Sequence, residues 1–137
     1  MFDLQNLNPS LRKFWDNDEK EWVDIRLVPD DMYEVIRKDC GIKSQVIYKP
    51  NPDTKKMDRI DDINWTDERG KNFANKLVCY QIKDWHLLTN EGEEIPCTDE
   101  NKLMLYRGAP RFKVWLDRHL DKLKEETEEF EEAELKN

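Results

Sequence analysis

The chain has 137 residues, enough for one domain whose core needs no disulfide staples. Charged residues make up 39% of it and the net charge is −8, which weighs against nucleic-acid binding and anionic membrane surfaces, since both rest on excess Lys and Arg. Most of that excess sits in one place, because Glu125 to Glu134 holds seven glutamates and no basic residue.

Residues 1–20 read as an N-terminal arm, with Asn8-Pro9-Ser10 and Asp16-Asn17-Asp18 as turn formers and Leu11, Phe14 and Trp15 free to pack on a neighbour. Val23, Ile25 and Leu27 then alternate with Asp24 and Arg26, the period of a half-buried strand. Pro29-Asp30-Asp31 opens a helix in which Asp31 and Glu34 have capping-box spacing and Met32, Val35 and Ile36 share a face. Gly41 stands where a C′ glycine belongs. Gln45-Val46-Ile47-Tyr48 and a turn at Pro50-Asn51-Pro52-Asp53 predict a hairpin over about residues 44–61, although Met57, Ile60 and Ile63 fit strand alternation poorly. Thr66 is an N-cap, with Asp67 and Glu68 at the favourable pole of the helix dipole. Phe73, Ala74, Leu77, Val78 and Gln81 predict one helix over 67–83 that delivers Trp85 into the core.

The stretch from Ile82 to Phe112 is a densely specified connector. It holds a turn at Asn90-Glu91-Gly92, an apolar return at Ile95-Pro96-Cys97, and helix starts at Thr98-Asp99-Glu100-Asn101 and Gly108-Ala109-Pro110. A last helix over 111–130 carries Phe112, Trp115, Leu116, His119, Leu120 and Leu123 as one apolar stripe. The expected fold is α+β: a mainly helical single domain with a small antiparallel β element in its N-terminal half and a long C-terminal amphipathic helix. Its divisions are an arm over 1–20, a globular domain over 21–124 and an acidic helix end or tail over 125–137. Trp22, Trp85, Gly92 and Trp115 are the expected structural anchors.

No catalytic constellation can be built from these residues. His86 and His119 are isolated, and four scattered glycines make no phosphate-cradling loop. Asp58, Asp61, Asp62, Asp67 and Glu68 lack the order of a calcium loop. Cys40, Cys79 and Cys97 have no metal or disulfide spacing and read as free thiols of a reducing compartment. Met1-Phe2-Asp3-Leu4 lacks the regions of a signal peptide, and no apolar run approaches the roughly 18 residues of a membrane span. A non-enzymatic, intracellular protein without cofactor or metal is expected, one that works through its surface. Within the terminal helix, Leu120, Leu123 and Phe130 are candidate apolar contacts for a protein partner. Glu125, Glu126, Glu128 and Glu129 are the solubilising charge that also attracts basic partners.

From Trp22 onward the chain resembles the tail assembly chaperones of tailed bacteriophages. The resemblance rests on W-V-D-I-R and D-D-M-Y-E-V-I-R-K, then C-Y-Q-I-K-D-W, N-E-G-E-E-I-P-C-T-D-E-N-K and L-Y-R-G-A-P-R-F. The order is that of the family: an aspartate-tryptophan after the middle helix, a glycine turn, a proline and cysteine-threonine before a helix, and a charged acidic end. The opening D-L-Q-N-L-N-P-S fits as well. The chain departs after Asp84-Trp85, where members often carry a small residue and this one has His86-Leu87-Leu88. The resemblance implies a protein of the infected host's cytoplasm that binds the long helical tape-measure protein, with other tail proteins as further candidate partners, and is absent from the finished virion. Self-association stays open. The alternative is a permanent virion component of the tail or head–tail junction. A third reading, an acidic mimic of nucleic acid, is weakened because the charge is confined to one helix.

Overall fold

A computed structural model describes residues 7–135, with side chains as far as Glu129. The chain divides into two compact units, one made of Met1–Pro29 with Val78–Asn137, the other of Asp30–Leu77.

In the first unit, strands β1 (Leu11–Phe14), β2 (Trp22–Ile25) and β5 (Ile82–His86) form an antiparallel sheet in the order β1-β2-β5. The turn between β1 and β2 is tied by Asp16, whose Oδ1 accepts from the backbone N–H of Lys20 and Glu21 at 2.9 and 3.0 Å. Those donors hold the Asp16 carboxyl below its ordinary range. Between β2 and β5 the register runs Val23↔Trp85 and Asp24↔Asp84 and then jumps to Ile25↔Ile82. Lys83 is the extra residue of a β-bulge. Without it, Ile82 and Trp85, three apart, would point to opposite faces. With it, both join Val23 and Ile25 on the buried face.

Helices α3 (Asp99–Gly108) and α4 (Pro110–Leu135) complete this unit. The Thr98 side chain caps α3 by accepting from Asn101 N–H at 3.2 Å, and Pro110 opens α4 where its missing N–H costs nothing. Phe112, Leu116 and Leu120 recur every fourth residue on α4 and close a core with Val23, Ile25, Val78, Ile82, Trp85 and Leu87. The Trp85 Nε1–H donates to the Ile95 carbonyl at 2.7 Å, which lets a polar indole sit inside this core. Between them the chain reverses at Asn90–Gly92, Leu88 bridging Glu94, and Gly92 supplies a φ of +84° that side-chain-bearing residues rarely adopt.

In the second unit, α1 (Asp30–Asp39) buries Ile36 and ends at Gly41, whose φ is +73°. Strands β3 (Ser44–Pro50) and β4 (Met57–Ile63) form a two-stranded hairpin in register Pro50↔Met57 to Ser44↔Ile63. Helix α2 (Asp67–Gln81) follows, capped by Thr66, which accepts from Arg69 N–H at 3.1 Å. Its residues to Leu77 belong to this unit, where Phe73 meets Tyr33 edge-on at 5.0 Å. Gly70 sits in mid-helix because the Trp65 ring lies over it: a Cβ there would come within 2.1 Å of the ring.

The expectation of a mainly helical single domain with one small β element is therefore corrected. Among the described residues the chain is an α+β protein of four helices and five strands in two antiparallel sheets, so strands are too large a share for one such element. β1 eluded the sequence because Leu-Arg-Lys-Phe does not alternate. β5 did so because its bulge gives Ile82 and Trp85 helical spacing, which prolonged α2 on paper to residue 83. The capping box on α1 does not form either, since Glu34 pairs with Arg37 at 2.9 Å, and Val35 is exposed.

Candidate protein-interaction surface

The last carbonyls of α2 are where sequence reasoning missed the most. The helix has no basic residue in its last turn and no Gly or Pro after it. It stops because groups from elsewhere in the first unit take over those carbonyls. Arg26 N–H donates to Gln81 O at 2.9 Å, Arg26 Nε to Tyr80 O at 2.8 Å, and Lys102 Nζ to Cys79 O at 3.0 Å. The Arg26 guanidinium also lies 3.8 Å from the centre of the Tyr80 ring. Two cations thus face the negative pole of the helix dipole. No local signal marks this site, although the bulky apolar sequence around Lys102 gives a reason for its stem to be buried.

On α4 the structure separates two faces. Leu120 is buried in the core at 8% exposure, and Leu123 packs half-buried against it, so their apolar contacts are made within the chain. The side chain of Phe130 lies outside the described residues. Glu125, Glu126, Glu128 and Glu129 are all exposed. The opposite face starts with a shallow depression lined by Pro110, Arg111, Val114, Trp115 and Arg118, and Val114 there is 56% exposed. It continues past Asp117, Asp121 and Lys122 to Glu125.

Trp115 belongs to an aromatic cluster. Its ring lies 5.3 Å from Trp15 and 6.0 Å from Phe112, and the imidazole of His119 meets it edge-on at 4.6 Å. Burial, with Lys13, Lys122 and Arg118 nearby, pushes the His119 imidazole below its ordinary value. Its buried Nδ1 has no hydrogen-bond partner among the described residues.

Trp22 lies on the outer face of the three-stranded sheet under the Arg12 guanidinium, 3.6 Å from the ring centre, and Arg12 in turn pairs with Asp24 at 2.9 Å. His86 ends β5, and its Nδ1 is 3.0 Å from Glu94. α3 is fastened to α4 by the Tyr106 hydroxyl, which donates to Asp117 at 2.8 Å. Burial and that carboxylate push the phenol up to about 12.

The charge on α4 opposes its dipole. Glutamates occupy the C-terminal, negative pole and the last turn has no basic residue. Lys122 and Lys124 precede Glu126 and Glu128 by four residues, the less favourable order for such pairs. The far end of α4 therefore carries negative charge that its own helix does not neutralise.

Other sequence candidates are dispersed. β4 sends Asp58 and Asp62 to one face of the hairpin and Asp61 to the other, while Asp67 and Glu68 lie in the first turn of α2. Among the described residues no three His, Cys, Asp or Glu side chains group as metal ligands would, and no helix is long and apolar enough to cross a membrane. Burial pushes the Cys79 and Cys97 thiols up, away from the reactive thiolate. No family model, no curated protein and no solved structure matches this chain.

Proposed function

We propose that this chain is a tail assembly chaperone of a tailed bacteriophage, a non-enzymatic protein of the host cytoplasm that holds the tape-measure protein during tail construction and is absent from the virion. What carries the reading beyond the resemblance is the division of labour along α4. Its buried stripe fixes the helix to the core. Its open face offers Val114 and the edge of Trp115 to an apolar helix, and the exposed Glu125–Glu129 segment adds charge that keeps such a complex soluble and draws basic segments of the partner. Leu120 and Leu123 serve the core in this scheme, and the partner's apolar contacts fall on the other side of the helix.

The second reading, a permanent virion component, draws support from the β3–β4 hairpin, whose strands are exposed at every position but Ile47. Co-expression of the full chain with the tape-measure protein of the same phage, with mass spectrometry of purified virions, tests both. Co-purification with the tape measure, weakened when residues 125–137 are deleted, and absence from virions is the expected result. Failure to co-purify, or a ring-like copy number in virions, overturns the chaperone reading.

A further inference from the structure

An isolated two-stranded hairpin is marginal in water, yet β3–β4 exposes apolar side chains on both faces. Val46 and Tyr48 are 43% and 62% exposed and share one face with Met57 and Ile63, while Ile47 and Ile60 share the other. We propose that the free edge of β3 is where a second copy of this chain docks, the two β3 strands pairing antiparallel across a two-fold axis at Ile47.

The hydrogen-bond phase of the hairpin shows which groups are free. Asn51 N–H donates to Lys56 O at 2.8 Å, and at the other end Asn64 N–H donates to Lys43 O at 3.1 Å. In an antiparallel ladder bonded pairs alternate with non-bonded ones. Lys49↔Asp58, Ile47↔Ile60 and Gln45↔Asp62 are therefore the bonded pairs. The main-chain groups of Ser44, Val46 and Tyr48 point to the open edge, as does the carbonyl of Pro50.

A two-fold at Ile47 sets Val46 opposite Tyr48 of the second copy and Ser44 opposite Pro50, each a pair whose groups point at the other. This gives about six N–H···O bonds, Pro50 being the one position without a donor. The side chains agree. Val46 meets Tyr48 twice, an aromatic–β-branched contact, Lys49 meets the uncharged Gln45, and Ile60-Ile47-Ile47-Ile60 forms one row on the other face.

The β4 edge fails the same test. A two-fold at Ile60 would set Asp58 opposite Asp62 twice, and β4 carries the charges that protect edge strands, whereas β3 has only Lys49. Head-to-tail pairing of β3 with β4 leaves a free edge at each end and does not close.

The test uses the full chain. Sedimentation should find a concentration-dependent dimer for wild type. Val46→Pro removes an N–H aimed at the open edge and none bonded to β4, so it should leave monomer. Arg59→Pro, its equivalent on β4, should leave the dimer. With Cys40, Cys79 and Cys97 replaced by alanine, Ile47→Cys should cross-link to itself under mild oxidation. Across the axis its two Cα atoms would be about 4.5 Å apart, inside the disulfide range. Gln45→Cys, which faces Lys49 and not itself, should not. Wild type that stays monomeric to millimolar concentration, association lost equally in Arg59→Pro, or cross-linking no faster at position 47 than at 45 each overturns the proposal.

Discussion

Lys102→Met separates the two opposing terms at the end of α2. The lysine side chain is only 10% exposed, its ammonium 3.0 Å from the Cys79 carbonyl and 3.6 Å from an Asp99 carboxylate that is 78% exposed. Methionine keeps the length of the stem and its packing, and removes the charge and the donor. The carboxylate contact is solvent-screened and contributes little. Leaving the Cys79 carbonyl without its donor costs about 1–3 kcal/mol, and losing a cation at the dipole's negative pole about 0.3–1 kcal/mol more. Against this, methionine has no ammonium to desolvate, which returns on the order of 1 kcal/mol or more. Because the lysine side chain keeps 10% of its surface in water, the net expectation is a loss of about 1–2 kcal/mol. With a urea slope of about 1–3 kcal/mol per molar, the unfolding midpoint should fall by roughly 0.3–2 M. Hydrogen exchange should quicken first at the amides of the last turn of α2. Lys113→Met is the control, since Lys113 also pairs with an aspartate but is half exposed, and it should cost under about 0.5 kcal/mol. A Lys102→Met protein as stable as wild type, or more so, would refute the reasoning and show that desolvation outweighs the cap.

Trp85→Phe should cost about 2–4 kcal/mol in the same assay, from the cavity left by the smaller ring and the Ile95 carbonyl left without its indole donor. Tyr106 should show its phenolate absorbance only near pH 12; because its folded value lies above the ordinary 10.0, the stability it contributes is whole below pH 10 and lost between about pH 10 and 12, a loss that Tyr106→Phe should abolish. His119 has the opposite sign: its folded value lies below 6.5, so its contribution is present above pH 6.5 and drains as pH falls through the folded value, and His119→Leu should flatten the acid limb of the stability curve. Replacing Glu125, Glu126, Glu128 and Glu129 together by glutamine should lower co-purification with the tape-measure protein and leave the helical far-ultraviolet signal unchanged, since all four lie more than a turn before the end of α4 at Leu135.

Much of the helical framework is written locally. Thr66 and Thr98 mark helix starts by accepting from N–H groups three residues on, Pro110 opens α4, and Gly41 and Gly92 supply left-handed backbone. The period of Phe112, Leu116 and Leu120 shows which face of α4 is inward. The glutamates are legible in the same way, because a run with no apolar period has no reason to be buried. Leu120 and Leu123 were harder to assign. A stripe that continues smoothly along a helix does not say where the core beneath it ends, and here the core reaches as far as Leu123.

The hairpin's second strand looked poorly patterned because neither of its faces is buried, so nothing selects for alternation. β5 was concealed by a bulge, and a bulge exists only relative to the strand it faces, more than fifty residues earlier in the chain. The end of α2 was concealed because its caps, Arg26 and Lys102, come from β2's end and from α3. Turns, caps and helix faces are local matters, each dictated by the sterics and hydrogen bonds of residues within four places of one another. Strand partners, the bulge, the borrowed caps and the division into two units were decided only by tertiary structure, because each depends on groups that meet across long stretches of chain.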